Sequence, residues 1–182
     1  LGYQGYENPS FLSTPGAKDV GIEFYTFSKT FNMAGWRLAF AAGNDQMIEA
    51  LNLIQDHLFV GIFPALQEAG IAALLDPKSE EAVAQLNAVY DSRRDAFTQS
   101  AAKIGWQAFP SKGSFYAWMP VPEGYTSESF ADLLLEKAHV AVAPGKGFGP
   151  AGDAYVRIGL LVEPERLVEA VDRIANLHLF NN

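Results

Sequence analysis

Apolar residues recur along the chain with two periods, and the switches between them mark the elements. Glu23-Phe24-Tyr25-Thr26-Phe27 is a short aromatic run, expected as a buried strand that ends at Ser28. Arg37-Leu38-Ala39-Phe40-Ala41-Ala42-Gly43 predicts a second buried strand, stopped by Gly43-Asn44-Asp45. Met47, Leu51, Ile54 and Leu58 then fall at helical spacing, so a helix is expected from about Asp45. Residues 64–75 predict another, ended by Asp76-Pro77. From Ser79 to about Lys103 the positions Val83, Leu86, Tyr90, Phe97, Ala101 and Ile104 keep a helical period. At ~1.5 Å per residue such a helix runs about 40 Å, long enough to join two domains.

Beyond that helix the pattern shortens. Trp106 to Phe109 and Ser114 to Pro120 predict two strands around the turn Pro110-Ser111-Lys112-Gly113. A helix through Phe130, Leu133, Leu134 and Ala138 leads to an expected strand Val140-Ala141-Val142-Ala143. The loop Pro144 to Pro150 precedes an expected strand Tyr155 to Leu161. Glu163-Pro164-Glu165 opens a last helix, with proline in the first turn where its missing N–H costs nothing. Leu167, Val171, Ile174 and His178 share one face of it. The Gly-, Pro- and Ser-rich first 20 residues predict loop. Strands alternating with helices give an α/β chain, with a domain boundary expected inside the long helix, about residues 79–103.

Composition narrows the function classes. Of 182 residues, 49% are hydrophobic, enough for a substantial core. The net charge of −8 argues against a nucleic-acid module and against docking on anionic lipid. Without cysteine there is no disulfide scaffold, thiolate zinc site or cysteine nucleophile. No apolar run approaches the ~20 residues of a spanning helix. The start, Leu1-Gly2-Tyr3-Gln4-Gly5, lacks a Met and reads as a chain entered midway.

Most familiar motifs are missing. His57, His139 and His178 form no H-x-x-x-H pair, so no metal is expected. Gly145-Lys146-Gly147-Phe148-Gly149 matches neither a dinucleotide fingerprint nor a P-loop, and no G-x-S-x-G elbow is present. Asn8-Pro9-Ser10 is no glycosylation acceptor, because proline stands in its middle. The segment from Thr26 to Ala39 differs. A lysine closing an apolar strand, Lys29, is expected where an ammonium is costly to bury, which favours a neutral, nucleophilic amine. Hydroxyls at Thr26 and Ser28 and the guanidinium of Arg37 could hold a phosphate, although strand-end lysines and arginines also serve as solvated caps.

This segment resembles the pyridoxal-phosphate lysine signature of the class I/II (fold type I) aminotransferases, roughly S-x-S-K-x-[FY]-x-[ML]-x-G-x-R-[LIV]-[GA]. Ser28, Lys29, Phe31, Met33, Gly35, Arg37, Leu38 and Ala39 match, and Thr26 stands where serine is usual. Gly113-Ser114-Phe115-Tyr116-Ala117-Trp118 resembles the family's G-x-F-Y-x-W segment. Val142-Ala143-Pro144-Gly145, Phe148-Gly149 and Tyr155-Val156-Arg157-Ile158 resemble its P-G-x-x-F-G…V-R block.

The resemblance implies an aspartate aminotransferase-like fold. Residues 1–90 would be the C-terminal part of the cofactor-binding large domain and 91–182 the smaller α/β domain. Residues 1–82 are then expected to lack a complete core, and residues from about 90 onward to be compact. It further implies pyridoxal 5'-phosphate as cofactor, bound through a Schiff base to Lys29, with Arg37, Thr26 and Ser28 at the phosphate. Arg157 would hold the substrate α-carboxylate, as a planar fork suits that group better than lysine does. The family's stacking aromatic, its Asn and Asp at the cofactor ring, and its D-x-x-Y tyrosine all precede the lysine. This chain is therefore expected to be about half of a cytoplasmic, homodimeric subunit acting on an amino acid and a 2-oxo acid.

The phrasing of Gly35-Trp36-Arg37, Asn52 to His57 and Val121 to Tyr125 is most similar to bacterial enzymes acting on methionine-like 2-oxo acids. Two alternatives keep the scaffold: a β-lyase cleaving C–S bonds, and an aminotransferase-like sensor domain of a transcription regulator. Tyr3 and Tyr6 take no assigned role.

Overall fold

The structure, a computed structural model, describes residues 2–180. The chain folds as two compact units, residues 7–86 and residues 2–6 with 87–180. Helix α5, Ser79–Lys103, begins in the first and ends in the second.

In the first unit a 3-10 turn, Phe11–Ser13, and the one-turn helix α1, Ala17–Val20, interrupt the expected loop. Strand β1, Ile22–Thr26, runs into a second one-turn helix, α2, Phe27–Thr30. After a 3-10 turn at Ala34–Trp36, strand β2, Ala39–Gly43, pairs antiparallel with β1, Thr26 opposite Ala39 and Ile22 opposite Gly43. Helix α3, Asp45–Leu58, is capped by Asn44, whose side-chain oxygen accepts Met47 N–H at 3.1 Å. Helix α4, Pro64–Leu75, starts on a proline, as the pattern predicts.

The elements lie close to their expected places, but their burial does not follow the pattern. β1 and β2 form a two-stranded sheet, and Phe24 stays 66% exposed. α3 buries none of its residues, and Leu58 at its end is 70% exposed. Phe27, Leu38 and Ala17 are the buried apolar side chains among the described residues of this unit. Around them Phe27 packs on Phe31 and Phe40, with ring centroids 5.7 and 5.9 Å apart. Gly70 of α4 lets that helix approach closely, since a Cβ there would meet Leu38 Cδ2 at 2.7 Å.

The second unit closes a core. Strand β3, Tyr116–Pro120, pairs antiparallel with β5, Tyr155–Gly159, and the two-residue strand β4, Ala143–Pro144, lies on the other edge of β5. Both long strands alternate strictly: Ala117, Met119, Val156 and Ile158 point inward. Helix α6, Ser127–Leu133, starts in a reciprocal cap, Thr126 accepting Ser129 N–H and Ser129 accepting Thr126 N–H. Helix α7, Pro164–Ala175, buries Leu167, Val171 and Ile174. These side chains meet Phe97 and Ala101 of α5, Phe130, Leu134 and Trp106 in one cluster.

Several boundaries differ from the pattern. Trp106 to Phe109 is no strand: the Trp106 ring turns inward and its indole N–H donates to Pro120 O at 2.7 Å. A single backbone bond, Phe109 N–H to Trp118 O, ties that segment to β3. The helix expected through Ala138 widens into a π-turn at Leu134–Ala138 and stops at His139 in the left-handed region. Val140 N–H then donates to Leu134 O, so it is spent on the helix end and the strand begins only at Ala143. β5 ends at Gly159 rather than Leu161, and His178 lies beyond α7, also left-handed.

Candidate active site

The lysine segment sits where β1 passes into α2. Thr26 is the N-cap of α2: its hydroxyl accepts Ser28 N–H at 3.2 Å and donates to Ser28 Oγ at 3.0 Å. Two hydroxyls and a lysine amine therefore leave one turn of chain. Lys29 lies in that turn and is exposed, not at the end of a buried strand. The desolvation expected from a strand-end position is not supplied by the residues around it in this unit.

Arg37 does not open β2 either. It closes the Ala34–Trp36 turn with φ 52° and ψ 43°, and its Nη1 donates to Ala34 O at 3.0 Å. Asn32, at φ 53°, is a second non-glycine residue in the left-handed region. Such conformations are disfavoured and persist where surrounding structure demands them, often near reactive groups. The structure thus brings Thr26 and Ser28 together beside Lys29, with Arg37 beyond the next turn. Among the described residues no hydrogen bond joins its guanidinium to either hydroxyl.

Arg157 belongs to the second unit. It lies on β5 opposite Trp118 of β3 and Ala143 of β4, on the sheet face away from the core. Its Cζ is 4.1 Å from the Tyr116 ring centroid and 4.2 Å from that of Phe148. Neither ring was expected beside Arg157, since the two come from distant segments. Alternation along 116–120 and 155–159 places Tyr116 and Arg157 on one face, but nothing local announces Phe148.

The charged groups around this sheet are held by ordinary partners. The Ser127 hydroxyl and N–H, donating at 2.7 and 3.2 Å, hold the Asp153 carboxyl below its usual range. Hydrogen bonds from Arg166 and Arg173 do the same for Glu169, and Glu128 raises Lys146. Tyr3 packs under Arg94, whose Cζ lies 4.1 Å from its ring, and burial raises its phenol. Among the described residues no cluster of three His, Asp or Glu side chains could hold a metal. None of their helices is long and apolar enough to cross a membrane.

The sequence model of the family described as "Aminotransferase class I and II" matches residues 3–174. This chain belongs to the class I and II aminotransferases. It is 58% identical over 180 residues to the L-glutamine–4-(methylsulfanyl)-2-oxobutanoate aminotransferase of Bacillus subtilis (strain 168), covering 99% of this chain and 45% of that protein. With the LL-diaminopimelate aminotransferase of Moorella thermoacetica it shares 49% identity over 172 residues, covering 94% of this chain and 44% of that protein. The solved apo structure of BacF from Bacillus subtilis superposes with a TM-score of 0.92 at 46% identity, over 100% of this chain and 46% of that one. The fold is accordingly that of an aspartate aminotransferase-like α/β transferase. The chain spans about half the length of the curated relatives it matches.

Proposed function

We propose that this aminotransferase chain is the C-terminal half of a pyridoxal 5'-phosphate-dependent transaminase that moves an amino group between an amino acid and a 2-oxo acid. The observation that carries the reading is the single turn holding Thr26, Ser28 and Lys29, followed by Arg37. Its donor set fits the group: hydroxyls and a guanidinium suit a phosphate dianion, and a primary amine suits an aldehyde. Thr26, Ser28 and Arg37 would hold the phosphate, and Lys29 the aldehyde carbon. When bound, the cofactor supplies an electron-accepting ring that stabilises the charge left at Cα as its proton departs.

The chain's own residues do the rest. Lys29 Nζ, once free of the cofactor, would take the proton from Cα as general base and deliver it as general acid to the cofactor's former aldehyde carbon. Arg157 orients the α-carboxylate through two parallel N–H bonds, which fixes the C–H bond that breaks. Residues 1–90 are the end of the large, cofactor-binding domain in this reading, and 91–182 are the small domain. The parent protein is a cytoplasmic homodimer whose remaining cofactor contacts come from sequence outside this chain.

For the substrates, the relative at 58% identity supports 4-(methylsulfanyl)-2-oxobutanoate as acceptor and L-glutamine as donor. A donor–acceptor matrix on the full-length protein tests this. Fast turnover of that pair, against slow turnover with LL-diaminopimelate as donor, is the expected result. Preference for LL-diaminopimelate would move the assignment to the other named activity. Pyruvate and ammonia released from an amino acid without any acceptor would replace transamination by β-elimination.

A further inference from the structure

The five arginines between residues 87 and 180 fall into two kinds. Arg93 pairs with Glu163 at 2.6 Å, and Arg94 pairs with Asp91 and Asp95 at 2.7 and 2.6 Å. Arg166 and Arg173 share Glu169. Arg157 alone among these described arginines has no carboxylate within ion-pairing distance, and its guanidinium instead touches the rings of Tyr116 and Phe148. Both centroids lie near 4 Å, well inside the ~6 Å limit of a cation–π contact. A ring offers no acceptor for the guanidinium N–H groups, so these stay able to bond, and their fork matches a carboxylate bidentately.

The two rings arrive by different routes. Tyr116 is fixed by the register of β3 on β5, where it faces Gly159. Phe148 rides on the 3-10 turn Gly145–Phe148, which is fastened from beneath. Gly145 and Gly152 approach so closely that a Cβ on either would overlap the other's carbonyl oxygen. Lys146 N–H donates to Ser127 Oγ at 3.2 Å, and that fully buried hydroxyl donates onward to Asp153 at 2.7 Å. Trp118 adds an edge contact to Phe148, with centroids 5.8 Å apart, and stacks on Tyr155 at 5.4 Å.

We propose that Tyr116 and Phe148 clamp the Arg157 guanidinium with its N–H edge presented to the substrate α-carboxylate, and that Ser127 is a positioning residue for the loop carrying Phe148. The inference rests on the carboxylate role of Arg157 given above and adds what holds that group still. A fork held in its binding orientation gives up less side-chain freedom when the carboxylate arrives, so the clamp acts on affinity.

The test uses the full-length holoenzyme with Tyr116→Leu, Phe148→Leu, Tyr116→Phe, Ser127→Ala and Arg157→Ala. Two readouts are needed: KM and kcat for the amino acid, and the Kd of the 2-oxo acid by calorimetry. Phe148 is 53% exposed, so its leucine variant should fold, and far-UV circular dichroism checks each protein. Each leucine variant should weaken the 2-oxo acid and raise KM about tenfold, with kcat falling less. Tyr116→Phe, which keeps the ring, should stay within about twofold, and Ser127→Ala should cost about threefold. Leucine variants that bind carboxylates like the parent, while Arg157→Ala does not, would overturn the clamp and leave the role of Arg157 standing. Unchanged carboxylate binding in Arg157→Ala would remove that role, and the clamp with it.

Discussion

In residues 87–180, Phe97, Trp106, Met119 and Phe130 are at most 1% exposed, whereas in residues 7–86 Phe24, Leu53, Leu58 and Phe59 are 60% exposed or more. Both sets come from segments rich in apolar residues. In the second unit each apolar face meets another: β3 and β5 present Ala117, Met119, Val156 and Ile158 to α5, α6 and α7. In the first, the two-stranded sheet and α3 carry comparable faces without burying them. A period tells which side chains would face a neighbouring element. It does not supply the neighbour.

Stability measurements on the chain can break this contrast. The largest effect is expected at Trp106, which packs edge-on against Phe97 and Phe130 and stacks on Phe180, with its N–H bonded to Pro120 O. Trp106→Ala should lose about 3–5 kcal/mol, read from denaturant unfolding by circular dichroism. A loss below about 1 kcal/mol would mean that this cluster is not the stabilising core.

An intermediate effect is expected in acid. Asp153 and Glu169 have carboxyls held below their ordinary values in the folded chain, so each adds stability that is fully present above the ordinary carboxyl range, near pH 4. That contribution is lost as the pH falls through their lower folded values. Thermal midpoints should therefore drop on acidification through this window, and Asp153→Asn should flatten the slope. An unchanged slope would show that the Ser127–Asp153 contact does not couple to folding. The smallest effect is expected at Leu58 of α3: with 70% of its surface already in water, Leu58→Ser should change stability by no more than about 0.5 kcal/mol in this chain.

Local chemistry was legible and non-local pairing was not. Helix starts depend on groups within one turn: the Asn44 side chain accepts Met47 N–H just before α3, and Pro64 and Pro164, the first residues of α4 and α7, lack an N–H that the first turn would leave unpaired. That Thr26, Ser28 and Lys29 share one turn was legible because their spacing is local. Arg157 could be placed on a strand by alternation and assigned a role only through resemblance. Its contact with Phe148 depends on Gly145 and Gly152 touching and on a buried serine, features that no short window contains. The burial expected for Lys29 failed for the same reason as that of α3: the strand was identified, but what would cover it was not.

In the proposed reading, the one-turn helix after β1 carries the cofactor lysine, Lys29. Borohydride reduction of the full-length protein, followed by peptide mapping, tests it most directly. A pyridoxyl-phosphate adduct is expected on the peptide containing Lys29, with loss of the visible absorbance in Lys29→Ala. An adduct mapped to Lys18, Lys112 or Lys146 would contradict it.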